Sequence, residues 1–344
     1  MSLIGAILGD IAGSLWEFKF GGIDPILKTD YDLFFDKETE ESHFTDDTIL
    51  SIACAKAITT DFDFTKQYLE FGNKYPNAGY GPRFNVWLTG SLEAYNSFGN
   101  GSAMRASFCG DAASSIKEAE VLGYFSAIPT HNHPEGIKGA ITLAVCTFMA
   151  KSGMSKNDIL EYAIIQYPIK NYYYSPERAL VSYEEEEFKF KVDCQSSVPL
   201  AIRIFYEFDD FDKMMRFINS KELDCDTIGA IAGSIFGSFY DFKFEDYKDI
   251  LASKLDEYLY DELVTILEDR YNPLKIENFA QKNGDTVLKF YDDFDNLLKK
   301  EDEIVVGWTC KPVVSEEIVE ETEDTNIEKV SIFEIITKIF KKSS

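Results

Sequence analysis

Hydrophobic positions in this chain recur mostly at helical spacing, and few stretches alternate with period two. Leu3 to Phe18 is apolar and carries Gly5, Gly9 and Gly13 four residues apart, so that all three fall on one helical face. Asp10 interrupts the run and argues against a membrane helix. The same device returns from Thr227 to about Tyr240, where Gly229, Gly233 and Gly237 line one face. An interior glycine costs a helix roughly 1 kcal/mol. Three in register therefore predict two helix backbones in close approach, or small residues filling tight spots in a helical core.

Further helices are predicted over Thr45 to Ile58, Phe64 to Asn73, Phe84 to Tyr95 and Ser115 to Phe125. Others follow over Gly136 to Ser152, Lys156 to Tyr167, Val198 to Phe208 and Asp212 to Asn219. Breakers such as Pro76, Gly79, Gly81, Pro82, Gly99, Gly101, Pro129, Pro168 and Pro199 separate them. Phe188 to Val192 is the clearest candidate strand, and it is short. The fold class is all-α.

The character changes after about Pro273, which divides the chain into a domain over residues 1–272 and an extension over 273–344. Within the extension, Ile304 to Val314 is a possible strand and Glu316 to Asp324 an acidic linker. Ile332, Phe333, Ile335, Ile336, Ile339 and Phe340 then recur at the spacing of a short amphipathic helix that docks on its own domain or on a partner, with attachment to a membrane surface as the lesser alternative.

Hydrophobic residues make up 45% of the 344 and charged residues 27%, which is ordinary globular usage. Thirty-four Lys and Arg oppose sixty Asp and Glu, a formal charge of -26 that repels phosphate backbones. Non-specific nucleic-acid binding is not expected on this ground, and any phosphate site must be local. The six cysteines lack the paired short spacings of a zinc site or a disulfide scaffold and read as reduced thiols. No apolar run reaches the roughly 18 residues that span a bilayer, and the N-terminus lacks the features of a secretory signal. The expected location is cytoplasmic.

Two acidic clusters, Thr45-Asp46-Asp47-Thr48 and Asp224-Cys225-Asp226-Thr227, stand at the starts of apolar helices. Either alone is explained by N-capping and the helix dipole. If the helices pack together, however, the carboxylates converge and repel unless hard divalent cations sit among them. Such an all-oxygen set suits Mg²⁺, Mn²⁺ or Ca²⁺, and alternation turns Cys225 away from it. Gly99-Asn100-Gly101-Ser102 is a glycine-rich loop whose N–H groups are able to cradle phosphate, although Asn-Gly turns occur without any ligand. Arg105 follows as a partner for a phosphate or for an internal salt bridge. Thr130-His131-Asn132-His133-Pro134-Glu135-Gly136 holds two of the three histidines, better explained by hydrogen bonding to substrate or core than by metal ligation. His43 reads as a surface or capping residue.

In their order, Gly9-Asp10-Ile11-Ala12-Gly13 with Glu17-Phe18, the two acidic clusters, the Gly99 to Arg105 loop and the Thr130 to Gly136 segment resemble the ADP-ribosylglycohydrolase family. The resemblance covers roughly residues 3 to 240. It implies a large orthogonal helical bundle that releases ADP-ribose from ADP-ribosylated proteins or small molecules. It also implies two Mg²⁺ or Mn²⁺ ions ligated by Thr45, Asp46, Asp47, Asp224, Asp226 and Thr227. Glu17 and Asp47 are the catalytic candidates it gives, Glu17 as general acid/base. Gly99, Asn100, Gly101, Ser102 and His131 become the substrate-binding candidates, with Phe98 and Tyr80 considered for stacking on adenine. Cleaving the anomeric bond builds oxocarbenium character and needs a proton for the leaving group, which a carboxylate pair and cations can serve.

Two other activities fit the same residues: an ADP-ribose reader that has lost cleavage, and a metal-dependent phosphoesterase. The chain departs from the family at Glu222-Leu223, which stands where members commonly carry a glycine pair. A different path for the loop bearing Asp224 is the expected consequence.

Overall fold

A computed structural model describes residues 1–17, 32–34, 42–167 and 190–269. Among the described residues the fold is all-α, and an isolated antiparallel bridge between Gly99 and Asp193 takes the place of any strand. The described part of the expected strand, residues 190–192, is irregular. The extension over 273–344 lies outside the described residues.

The chain begins with α1 (Ser2–Ser14), α2 (Asp46–Thr59) and α3 (Phe64–Lys74). Short elements follow: α4 (Pro82–Val86), a π-helical turn over Trp87–Ser91, α5 (Gly101–Met104) and α6 (Ser107–Ala112). Next come α7 (Ile116–Ala127), α8 (Pro134–Lys151), α9 (Lys156–Gln166) and α10 (Cys194–Glu207). The described part closes with α11 (Phe211–Asn219), α12 (Cys225–Phe239), α13 (Phe244–Lys254) and α14 (Glu257–Asp269). No described helix is long and apolar enough to cross a membrane.

The centre of the bundle is the pair α1 and α12, both apolar almost all round and buried along nearly their whole length. The glycine stripes face each other in antiparallel order: a Cβ on Gly5 would lie 2.0 Å from the Gly233 carbonyl oxygen, and one on Gly13 would lie 2.3 Å from that of Cys225. The C-terminal end of α1 therefore meets the N-terminal end of α12, and the site is built where they meet.

Three expectations change. The helix predicted over Phe84 to Tyr95 stops early, because Leu92 adopts a left-handed conformation at φ 49 and ends the π-helical turn. Pro199 lies inside α10 rather than before it; the helix starts at Cys194, capped by the Asp193 side chain accepting from the Ser196 N–H. The short α6, together with α13 and α14, forms where no helix was expected. Neither Glu222 nor Leu223, which replace the glycine pair, has positive φ; Leu223 is buried and anchors the loop, while Glu222 is exposed.

Candidate active site

Asp10, which breaks an apolar run and belongs to the Gly9 to Gly13 motif without a role of its own there, is the residue that joins α1 to α2. Its Oδ2 accepts the backbone N–H groups of Thr45 and Thr48, each at 3.0 Å, and its Oδ1 accepts the Thr45 hydroxyl at 2.8 Å. One buried carboxylate thus satisfies donors at the start of a neighbouring helix that would otherwise be orphaned. The Thr45 side chain caps the same helix from within, accepting the Asp47 N–H at 3.2 Å.

Asp224 and Asp226 arrive from α12. The Thr227 hydroxyl donates to Asp47 Oδ2 at 3.3 Å, a direct link between the two acidic clusters. Oxygens of Asp10, Asp47 and Asp226 lie within 4.8 Å of one another, as do oxygens of Glu17, Asp224 and Asp226, so Asp226 belongs to both sets. Asp46 falls outside both triads. It is half-buried, and its Oδ1 would lie 3.2 Å from a Cβ on Gly79, whose φ of +102 favours glycine. Cys225 faces away, its thiol directed at the carbonyls of Ile218 and Lys221.

Burial and crowding shift these carboxyls towards their protonated forms. Burial first, and repulsion from its neighbours second, pushes Glu17 up to about 8 and Asp47 and Asp226 well above the usual range. Burial likewise raises Asp46, with Asp226 next in effect, and raises Asp10. Asp224 is pushed up to about 6, mainly by burial, while hydrogen bonds from Asp226 and Asn100 oppose the shift. The donor set fits hard divalent cations: it is all oxygen, and Asp47 Oδ1 is buried without a hydrogen-bond partner.

The acidic cluster forms one wall of a cavity of about 620 Å³, a size suited to a small-molecule ligand. Glu17, Thr45, Asp46, Asp47, Asp224, Asp226 and Thr227 all line it, together with Gly99, Asn100, Gly101 and His131. Ser102 does not; it is buried, and its hydroxyl donates to the Gly136 carbonyl at 2.7 Å. The Asn100 amide is engaged on the inner side, donating to Asp224 Oδ2 at 2.7 Å and to the Ser197 hydroxyl at 3.0 Å, which ties the glycine loop to the acidic cluster. Phe98 and Tyr80 lie outside the lining, whereas Phe44, Phe84, Tyr95 and Phe190 contribute to it. His133 caps α8, its Nδ1 accepting the Glu135 N–H at 3.1 Å, and His43 is exposed at the cavity edge.

The ADP-ribosylglycohydrolase family model matches residues 1–266. The chain belongs to the ADP-ribosylglycohydrolase family. It is accordingly a glycosyl hydrolase acting on ADP-ribose conjugates. Among curated relatives of this glycohydrolase, human ADP-ribosylhydrolase ARH3 is 25% identical over 304 aligned residues, covering 69% of this chain and 84% of the human protein. The bovine (Bos taurus) protein of the same name is 26% identical over 304, covering 69% of this chain and 83% of its own length. A solved structure described as an ADP-ribosylglycohydrolase-related protein complex superposes with a TM-score of 0.58 at 19% identity, covering 79% of this chain and 96% of that one, and so shares the fold.

Proposed function

We propose that this glycohydrolase releases ADP-ribose from its conjugates at a centre holding two divalent cations, magnesium or manganese. The observation that carries the reading is the pair of carboxylate triads with Asp226 in common. Thr45, Asp46, Asp47, Asp224, Asp226 and Thr227 are the proposed ligands; the unpartnered Asp47 Oδ1 supports the assignment of Asp47, and the triads that of Asp47, Asp224 and Asp226. When bound, such cations orient the ribose diol and lower the pKa of water.

The remaining chemistry falls to the chain's own groups. Glu17 lies at the junction of the acidic wall and the open cavity, and its carboxyl is pushed up to about 8 by burial and by Asp226. A carboxyl that holds a proton near neutral pH is suited to general acid/base work on the anomeric bond. Asp47, in the other triad, is the second catalytic candidate. Gly99, Gly101 and His131 form another part of the lining, where we place the diphosphate. Free, buried thiols at Cys54, Cys109, Cys146, Cys194 and Cys225 are in keeping with a reducing, cytoplasmic setting.

The test incubates purified protein with arginine-linked and serine-linked ADP-ribosylated substrates in Mg²⁺, Mn²⁺ or EDTA and follows free ADP-ribose. Cation-dependent release on at least one linkage is the expected result. Binding of ADP-ribose with no release on either linkage would replace the hydrolase with a reader, and release of phosphate instead would make it a phosphoesterase.

A further inference from the structure

Arg105 is fully buried, 0% exposed, and makes no ion pair with any described residue in a chain of formal charge -26. A buried cation without a counter-ion is costly and needs a reason. Its Nη2 donates to the carbonyls of Ser126 and Ala127 at 3.0 and 3.4 Å and to the Thr130 hydroxyl oxygen at 2.8 Å, and its Cζ lies 4.1 Å from the centre of the Tyr68 ring. The Thr130 oxygen in turn lies 2.7 Å from His131 Nδ1.

We infer that Arg105 and Thr130 are positioning residues for His131, fixing its ring as the Nε2–H tautomer so that a neutral donor faces the ligand cavity beside Gly99 and Gly101. A guanidinium only donates, so it occupies a lone pair of the Thr130 oxygen. The Tyr95 hydroxyl is hydrogen-bonded to Thr130 as well; a phenol is the stronger donor and an aliphatic hydroxyl oxygen the better acceptor, so in this arrangement Tyr95 donates and fills the second lone pair. The hydroxyl proton of Thr130 is then directed at His131 Nδ1, which must accept, leaving the ring proton on Nε2. Nε2 is the atom turned to the glycine loop: Cβ atoms placed on Gly99 and Gly101 would lie 3.7 and 3.6 Å from it. Burial, and after it the Arg105 charge, hold His131 well below its usual pKa, so the ring stays neutral. Thr130 is 0% and His131 5% exposed, and solvent does not compete with the relay. A neutral donor suits a cavity that also holds an acidic cluster, because an imidazolium there would be drawn to the carboxylates rather than kept for the ligand.

The inference rests on reading the Gly99 to Gly101 wall as the ligand wall, and its test separates the two ideas. The full-length protein contains only three histidines, His43, His131 and His133, so long-range ¹⁵N–¹H spectra resolve each ring. His131 is expected as the Nε2–H tautomer, with its Nε2 resonance moving on addition of ADP-ribose. Thr130→Val removes the relay at nearly constant volume and should scramble the tautomer, raising KM about tenfold with the loss in KM rather than kcat. Thr130→Ser should restore both. An Nδ1–H ring in the unaltered protein, or a Thr130→Val variant with tautomer and KM unchanged, overturns the relay. An Nε2–H ring whose resonance ignores ADP-ribose overturns the ligand wall instead, and with it the purpose of the relay.

Discussion

A Cβ on Gly9 would lie 2.0 Å from the carbonyl oxygen of Gly229, so the backbones of α1 and α12 touch with no side chain between them. Gly9 adjoins Asp10, and Gly229 stands three positions beyond Asp226, so this contact sets the separation of the carboxylates. Gly9→Ala is expected to destabilise the fold by about 3 kcal/mol through overpacking that neither helix can relieve. Gly81→Ala, where a Cβ meets nothing within 4 Å, should change stability by less than about 0.5 kcal/mol. Denaturant unfolding of the two variants checks the contrast.

Asp226 is buried among like charges, and its neutral form is favoured in the absence of cations. Asp226→Asn keeps an oxygen able to accept the Thr227 N–H, which Asp226 Oδ1 does now at 2.8 Å. The variant should therefore melt several degrees higher than the unaltered protein in EDTA at pH 8, while losing all cation-dependent release of ADP-ribose. A drop in melting temperature would mean that the Asp226 charge stabilises the helix N-terminus by more than the crowding of carboxylates costs, and that the cluster is not strained for want of cations.

The raised carboxyls also fix a pH dependence. A group whose folded pKa exceeds its unfolded value stabilises the fold below the unfolded pKa and loses that contribution as pH rises through the folded one. For Asp224 the window runs from 3.8 to about 6, and for Glu17 from 4.5 to about 8. In EDTA, thermal stability should fall between pH 5 and pH 8.5 on this ground. Added Mn²⁺ should restore it, and the gain should grow with pH as cations take the place of protons. Melting curves with and without Mn²⁺ across that range provide the check.

Glu17→Gln removes the titrating group but not its volume. Turnover should fall by about a hundredfold or more, with ADP-ribose affinity kept within a few fold. Steady-state rates set beside calorimetric binding of ADP-ribose measure the split, and equal losses in both would assign Glu17 to binding.

Much of this was legible in the chain alone. The glycine stripes of Gly5, Gly9, Gly13 and Gly229, Gly233, Gly237 announced two helices built for close contact, and the acidic clusters at Thr45 and Asp224 announced where charge would gather. Period and capping chemistry are local properties, so α2, α3, α7, α8, α9 and α11 followed from them within a few residues. Where a local signal was overruled, tertiary contact did it: Pro199 is carried inside a buried helix, and the helix from Phe84 onward ends at a left-handed Leu92.

Partnership, by contrast, was decided only in three dimensions. Asp10 looked like a break in an apolar helix and proved to cap α2 from 35 residues away. Asn100 and Ser102 looked alike in a glycine-rich loop, yet one holds Asp224 and the other is sealed under Gly136. Arg105 was read as a phosphate or salt-bridge partner and instead donates to Thr130. Periodicity states which face of a helix is buried but not what covers it, and a hydrogen bond between distant residues leaves no trace in the spacing of either.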